Sequence, residues 1–226
     1  MAEEPKNLME KAYRQLKNMI FSQRIGPGQK IIFRDLSQRL SMSKTPIMYA
    51  LGRLEQEGFI KLKPNLGYFV KDFDLKEIGD YFDLREALEV YAITLAIKNR
   101  ETEDLKKLEE KIRKHKKYVI QVYDRKKLVL DAEVHLQIAQ MAKNVVLVRQ
   151  LHQIFEQIYL RFRVELMHPA RLSVSPVEHK KILAMIKKKD ASGAEKVIRR
   201  HIQAAKQNMI SSISRQEIID FNIPIE

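Results

Sequence analysis

Residues 33–69 read FRDLSQRLSMSKTPIMYALGRLEQEGFIKLKPNLGYF, and the spacing of the apolar residues changes along this stretch. Phe33, Leu36 and Leu40 recur at helical spacing and fit one face of a short helix. Ser41-Met42-Ser43 then interrupts the pattern with residues that favour turns and caps. A second helix is therefore predicted to begin directly after this turn.

The second helix is predicted from its caps and from two unlike faces. Thr45 is expected to cap it, Pro46 suits its first turn, and Gly58 ends it. Its buried face contains Ile47, Ala50, Leu51 and Leu54. The opposite face is expected to be free for a DNA major groove, and it contains Lys44, Tyr49 and Arg53, with Met48 near its edge.

The residues after Gly58 change to the alternation of a β-hairpin. Residues 59–63 predict one strand, residues 64–67 its turn and residues 68–70 the returning strand. We expect Lys61 and Lys63 on this hairpin to neutralise DNA phosphates. Two short helices followed by a hairpin are the order of a winged helix-turn-helix. A helical core with a solvated basic rim is the alternative, and the ordered combination argues against it.

Length and charge extend this interpretation to the whole chain. Its 226 residues are enough for two cores, and we predict a DNA-binding domain at 1–71 and a second domain at 72–226. The formal net charge of +13 suits a polyanionic partner, although an acidic membrane surface would fit equally well. The chain contains no cysteine, which excludes disulfides and thiolate metal sites.

The N-terminal residues MAEEPKNLMEK lack the apolar core of an export signal. Nor does any later segment approach the roughly 18 apolar residues that span a bilayer. We therefore expect a cytoplasmic protein without a membrane partner.

The chain beyond residue 72 is predicted to be entirely helical, which makes the fold class mainly α: a winged helix-turn-helix followed by an all-helical bundle. Six helices are expected, beginning at Asp74, Thr102, near Asp124, Asn144, Ser175 and near Asp190. Ser175-Pro176-Val177-Glu178 has the best capping pattern of this set.

Histidines on apolar helix faces are the candidate metal ligands. Asp131 and His135 are four residues apart on one face, and His179 and His201 each lie on an apolar stripe of a later helix. One oxygen and three nitrogens suit zinc, nickel or another borderline divalent ion, with positions left for water or an anionic ligand. Packing histidines are the alternative, and His115 also falls near an apolar stripe, so helical phase does not isolate the metal set.

Arg85 is an unusual residue because it falls in line with the apolar face of its helix. A buried guanidinium must be paired. It either forms an internal ion pair with a carboxylate of a neighbouring helix or grips the carboxylate of a ligand beside the metal.

The chain resembles the GntR family of bacterial transcription regulators, in the branch with an all-helical C-terminal domain of the FCD type. The resemblance covers nearly the whole chain. It is carried by FRDLSQRL, SKTPIMYALGRLEQEGFI and PNLGYFV in the first domain, and by YFDLREALE, DAEVH, KNVVL, EHKKILAMIKKKD and RRHI in the second.

The resemblance implies particular site residues and partners. Asp131, His135, His179 and His201 match the metal ligands of the family, with zinc as the first expectation and nickel or manganese as alternatives. Arg85 and Asn144 are then expected to bind a small carboxylate effector, in a homodimer that binds a two-fold symmetric double-stranded DNA operator. The predicted DNA-contacting residues are Arg34, Ser43, Lys44, Thr45, Met48, Tyr49, Arg53, Lys61 and Lys63.

Several DNA-facing residues depart from the family pattern. Lys44 stands where arginine is usual, Met48-Tyr49 replace an Arg-Glu pair, and Leu66 replaces a frequent wing arginine. Methionine offers a base only apolar contact, whereas arginine can form two hydrogen bonds with guanine. The operator sequence therefore does not transfer from the family.

The function predicted from the sequence is a transcription regulator whose operator affinity depends on an effector bound at the metal site. A metal-dependent hydrolase or lyase is one alternative, because such a ligand set can also activate water. A regulator in which the metal is structural, or is itself the signal, is another.

Overall fold

The computed structural model describes residues 5–72, 74–118, 126–161 and 169–217. These residues form two compact units, of which the first runs to Asp74 and includes Tyr159–Arg161, while the second contains the rest. Within the described residues the fold is mainly α with one two-stranded sheet, which confirms the predicted fold class. The predicted boundary between residues 71 and 72 stays a prediction.

The first unit has the order of a winged helix-turn-helix. Its elements are α1 Pro5–Phe21, α2 Phe33–Leu40, α3 Lys44–Gln56, β1 Ile60–Lys63 and β2 Gly67–Val70. The strands pair antiparallel, with Ile60 opposite Val70 and Lys63 opposite Gly67. The predicted buried face of α3 is buried, and it packs with α1 residues such as Leu16 in one apolar core.

The start of α3 differs from the prediction. The helix begins at Lys44, and Ser43 occupies the N-cap position without a side-chain capping bond, so the predicted cap at Thr45 is wrong. Pro46 lies in the first turn as expected. Because the first backbone N–H groups of a helix have no partner within it, proline is tolerated throughout that turn and does not mark the first residue.

The second unit contains, in its described part, the six predicted helices. They are α4 Leu75–Asn99, α5 Thr102–Lys117, α6 Lys126–Met141, α7 Val145–Arg161, α8 Pro169–Lys188 and α9 Ala191–Glu217, and only the Tyr159–Arg161 end of α7 is assigned to the first unit. Asn144 and Asp190 immediately precede α7 and α9, where their side chains accept hydrogen bonds from the Leu147 and Gly193 amides. The predicted start near Asp124 lies outside the described residues.

The predicted helix start at Ser175 is wrong. α8 begins at Pro169, and Pro176 lies inside it. The Ser175 hydroxyl donates a hydrogen bond of 2.6 Å to Asp131 Oδ1 on α6 instead of capping α8. A capping pattern considers residue types alone, and it predicted that this hydroxyl would bond a backbone N–H at the start of the helix. The hydroxyl bonds a side chain of another helix instead.

The helices α4 and α8 pack against each other and against both α6 and α9, and α5 covers α6 and α8. Their inward faces are largely apolar, but they also bury Arg85, Glu89, His115, His135, His179 and His201. A helix with both the length and the apolar sequence needed to cross a membrane does not occur among the described residues.

Candidate metal centre and nucleic-acid interface

Four side chains from three helices converge in the second unit. Asp131 and His135 lie one turn apart on α6, His179 lies on α8, and His201 lies on α9. One ligand atom from each falls within 4.8 Å of all the others. The three histidines are almost completely buried, and the Asp131 side chain is 20% exposed. The structure thus brings together the four residues that the sequence suggested as metal ligands.

The distances within the cluster fit a shared divalent ion. His135 Nε2 lies 3.1 Å from His201 Nε2 and 3.3 Å from His179 Nε2. The carboxylate oxygens of Asp131 lie 3.5 Å from His135 Nε2 and 3.6 Å from His179 Nε2. Donor atoms that bind one zinc ion at its usual bond lengths are themselves about 3.0–3.4 Å apart. The two nitrogen pairs that include His135 meet this spacing, and the Asp131 oxygens lie slightly outside it in their contacts with His135 and His179.

Two of the histidines are oriented by glutamates. His135 Nδ1 donates to Glu89 Oε2 at 2.5 Å, and His201 Nδ1 donates to Glu178 Oε2 at 2.7 Å. With these protons on Nδ1, the lone pair of each neutral ring is on Nε2, which faces the cluster. Carboxylates in this position are the usual outer partners of metal-binding histidines. Neither glutamate was predicted from the sequence, although Glu89 follows Arg85 by one turn on the same buried face.

The third histidine has a different outer partner. His179 Nδ1 lies 3.2 Å from Nδ1 of the buried His115 on α5. His115 is therefore not among the four converging residues but lies behind one of them. From the sequence, His115 lies near an apolar stripe like those of His179 and His201, so it could not be told apart from them. The contact with His179 shows where His115 lies.

For two of the four candidate ligands, the surroundings favour the protonation state that can bind a cation. Burial raises the pKa of Asp131, but the hydrogen bond with His135 and the charge of His135 outweigh burial and hold that pKa well below its usual value. Burial lowers the pKa of His179 well below its usual value. Asp131 is thus anionic and His179 neutral near pH 7.

His135 behaves in the opposite way. Burial lowers its pKa, but the charge of Glu89 reverses the effect and leaves the pKa raised. Burial also raises the pKa of Glu89, whereas the charges of Arg85 and His135 lower it to about 2. A proton on His135 Nε2 and a metal ion would compete for the same lone pair, so metal binding is expected to release that proton.

Arg85 forms an internal ion pair, but with a carboxylate of its own helix and not of a neighbouring one. Its guanidinium is buried and donates through Nε to Glu89 Oε1 at 2.5 Å, which is an internal ion pair. Its Nη2 lies 2.9 Å from His135 Nε2, so the same group reaches the cluster. The guanidinium also stacks over Phe155, 4.6 Å from the ring centroid. Asn144, by contrast, caps α7, and no described contact joins it to the cluster.

In the first unit, most of the predicted DNA-contacting residues are exposed. They lie on α2, in the turn before α3, on α3 and on β1, and they are Arg34, Ser43, Lys44, Thr45, Met48, Tyr49, Lys61 and Lys63. The exposure of Met48 and Tyr49, at 39% and 47%, is notable for large apolar side chains. Lys63 is held over the Phe69 ring, whose centroid lies 4.5 Å from Nζ.

Arg53 does not lie on a free helix face as expected. Its Nη1 donates to Glu10 at 2.7 Å and its Nε to Glu57 at 3.1 Å. Its guanidinium carbon lies 3.7 Å from the centroid of the Tyr13 ring. Because α1 packs along α3, residues distant in sequence engage this side chain. The structure therefore gives Arg53 contacts that join α3 to α1.

Comparisons with known proteins agree with both units. The family model described as bacterial regulatory proteins, gntR family, matches residues 8–70, and the FCD domain model matches residues 80–204. An uncharacterized HTH-type transcriptional regulator, YdhC of Bacillus subtilis, is 25% identical over 190 residues, which cover 84% of this chain and 85% of the relative.

Solved structures show the same fold. Escherichia coli McbR/YncC has a TM-score of 0.75 at 23% identity, covering 92% of this chain and 98% of that protein. The metal-free FCD domain of TM0439 has a TM-score of 0.51 at 20% identity, covering 63% of this chain and 98% of that domain. The relatives are transcription regulators and not enzymes, so they do not support a hydrolase or lyase. The chain belongs to the GntR family of bacterial regulatory proteins and is a transcription regulator with a DNA-binding domain and an FCD effector-binding domain.

Proposed function

We propose that this regulator binds its DNA operator with an affinity controlled by a small carboxylate effector, which binds beside a divalent metal ion in the FCD domain. The observation that carries this proposal is the convergence of three histidine Nε2 atoms and one carboxylate, with the Arg85 guanidinium 2.9 Å from one of those nitrogens. A cationic donor beside a metal-type ligand set is complementary to an anionic chelating molecule.

The proposed ligands of the ion are Asp131, His135, His179 and His201. Their nitrogen-rich donor set suits zinc, with nickel or manganese as alternatives. When bound, the ion supplies a Lewis-acidic centre that attracts carboxylate oxygens.

Arg85 is proposed to hold the effector carboxylate. Its Nε is engaged by Glu89, while its Nη2 extends to the cluster, so the terminal amino groups are the part of the fork that an effector would meet. For Asn144 we propose a contact through the side-chain nitrogen, because the side-chain oxygen accepts the Leu147 amide.

DNA binding is proposed for a homodimer in the cytoplasm. Two copies of α3 would enter successive major grooves of an operator, about 34 Å apart. Arg34, Ser43, Thr45 and the exposed residues of α3 are the proposed contacts there, and the wing lysines are proposed to contact phosphates. Effector binding would change the spacing of the two helices and thereby lower specific affinity. Arg53 is proposed to position α3.

The test of this function measures metal content, and operator DNA binding with and without effector, in the same untagged protein. Elemental analysis and native mass spectrometry should find one ion per chain. Operator binding should then weaken when a metal-chelating carboxylate is added to the metal-loaded protein and not when it is added to the metal-free protein. A carboxylate response that needs no metal would contradict the proposal.

A structural or signalling metal is a second candidate, and the buried Arg85–Glu89 ion pair favours it. In that case Arg85 supports the fold and binds no effector. Operator affinity would then depend on the metal alone, with no response to any carboxylate.

A further inference from the structure

His115 is a buried polar residue outside the ligand set. It lies on α5, is 1% exposed, and its ring centroid is 5.2 Å from that of His179. The contact joins the two Nδ1 atoms at 3.2 Å, so His115 meets the ring nitrogen of His179 that is turned away from the cluster. His115 therefore cannot take the place of any of the four converging residues as a metal ligand.

The hydrogen bond between the two rings has one consistent direction. His179 Nε2 faces the donors of His135 and Asp131, so a neutral His179 ring that binds a cation there carries its proton on Nδ1. That proton points at His115 Nδ1, which must accept it. His115 is then the tautomer with its own proton on Nε2.

The main chain at His115 is held by the helix that carries two of the ligands. Lys127 Nζ, buried on α6, donates to the carbonyl oxygens of His115 at 2.5 Å and Tyr118 at 3.1 Å. Lys127 lies one turn before Asp131 on that helix. The end of α5 is thus fastened to α6, which fixes the accepting nitrogen relative to the ligand set.

We propose that His115 is a positioning residue, which orients His179 and fixes its tautomer for metal binding, as Glu89 and Glu178 do for the other two histidines. This inference rests on the proposed metal site. His115 differs from the two glutamates because it accepts the hydrogen bond as a neutral ring and adds no negative charge beside the ion.

The test compares Co²⁺ affinity, measured by competition with a chromophoric chelator, in the wild type and three variants. His115→Phe fills the ring volume but has no acceptor, and Co²⁺ should bind about 10–100-fold more weakly. His115→Asn keeps an oxygen near the position of Nδ1 and should recover most of the lost affinity. Ile112→Val alters buried packing one turn earlier on α5 and should leave the affinity unchanged. Wild-type affinity in His115→Phe would overturn the inference.

A second measurement needs no variant. Long-range ¹H–¹⁵N correlation spectra of Zn²⁺-loaded wild type with ¹⁵N-labelled histidine should show His115 protonated on Nε2 and His179 protonated on Nδ1. A His115 ring protonated on Nδ1 would overturn the inference even if His115→Phe fails to fold. A wild type that binds neither Co²⁺ nor Zn²⁺ would instead refute the proposed metal site, and the role of His115 with it.

Discussion

His135 Nε2 and His201 Nε2 lie 3.1 Å apart, and the other nitrogen of each ring donates to a glutamate. Two neutral imidazoles arranged in this way direct their lone pairs at the same small space, which is unfavourable without positive charge nearby. Arg85 Nη2, 2.9 Å from His135 Nε2, supplies such charge from one side. A divalent ion would satisfy both lone pairs together with Asp131 and His179.

The double variant His179→Ala/His201→Ala should lose the ion, because half of the donor set is removed. Elemental analysis and native mass spectrometry of untagged protein are expected to change from one ion per chain to none. His152→Ala is the matched control, since this α7 histidine has a side chain that is 58% exposed and lies outside the cluster. Equal metal content in the double variant and the control would exclude the site.

Glu89→Gln should lower both stability and metal affinity. It replaces the carboxylate that pairs with the buried Arg85 guanidinium by a neutral amide, and breaking such a buried ion pair lowers the free energy of unfolding by about 3–5 kcal/mol. It also removes the charged partner of His135. Urea unfolding of chelator-treated protein separates the two effects.

Glu178→Gln is the comparison, at a side chain that is 18% exposed. It should reduce Co²⁺ affinity with a smaller loss of stability than Glu89→Gln. Equal losses of stability in the two variants would contradict this difference in burial.

Arg85→Lys should separate effector binding from metal binding. Lysine keeps a positive charge near Glu89 but cannot form the two-pronged hydrogen bond of a guanidinium with a carboxylate. We expect di- and tricarboxylates to raise the melting temperature of the wild type, and we expect Arg85→Lys to keep its metal content but lose this increase. A wild-type response in Arg85→Lys would contradict the proposed contact of Arg85 with the effector. The absence of any carboxylate response in the wild type would favour the second candidate function, in which Arg85 serves the fold.

Lys44→Ala and Thr45→Ala should abolish specific operator binding without unfolding the protein, because both side chains are exposed at the start of α3. Arg53→Ala should behave differently. It removes the stacking on Tyr13, which contributes about 0.5–1 kcal/mol, together with ion pairs that are partly screened by solvent. Its melting temperature should therefore fall. Gel-shift assays and thermal unfolding together distinguish variants that lose only DNA binding from variants that lose stability. An Arg53→Ala variant with the wild-type melting temperature would show that the contacts with α1 contribute nothing to stability.

Lys61→Ala on the wing should weaken binding to operator and to random DNA alike. A phosphate contact adds affinity without reading sequence, and its loss should reduce the slope of log affinity against log salt by about 1. Salt titrations on both DNAs measure this. A loss confined to the operator would instead make Lys61 a base contact.

Two glycine substitutions should have opposite effects on stability. A Cβ at Gly193 would lie 2.8 Å from Asp190 Cγ, displacing the carboxylate that caps α9, so Gly193→Ala should cost about 0.5–2 kcal/mol. A Cβ at Gly52 meets no atom within 4 Å, and Gly52→Ala inside α3 should gain about 0.5–1 kcal/mol. Urea unfolding checks both, and a stabilised Gly193→Ala would contradict the close contact.

The winged helix could be predicted because its signals are local. The apolar spacing that defines α2 and α3 and the alternation of Phe59–Lys63 depend on neighbours within a few residues. The same locality explains the errors. Thr45 and Ser175 both carry the side chain of a good cap, but the first lies inside α3, and the hydroxyl of the second bonds Asp131.

The sequence by itself determined the order of elements and the buried helix faces, because residue type and helical period act along the chain. The four candidate ligands were separated from His115 only by the resemblance of the sequence to the family. Only the tertiary structure decided that His115 lies behind His179, that Glu89 pairs with Arg85, and that Arg53 is held by α1. Each of these facts depends on the packing of side chains into specific contacts, most of them between residues on different helices. The position of a residue in the helical repeat gives the direction in which its side chain points from the helix axis. It does not give the atom that the side chain will contact.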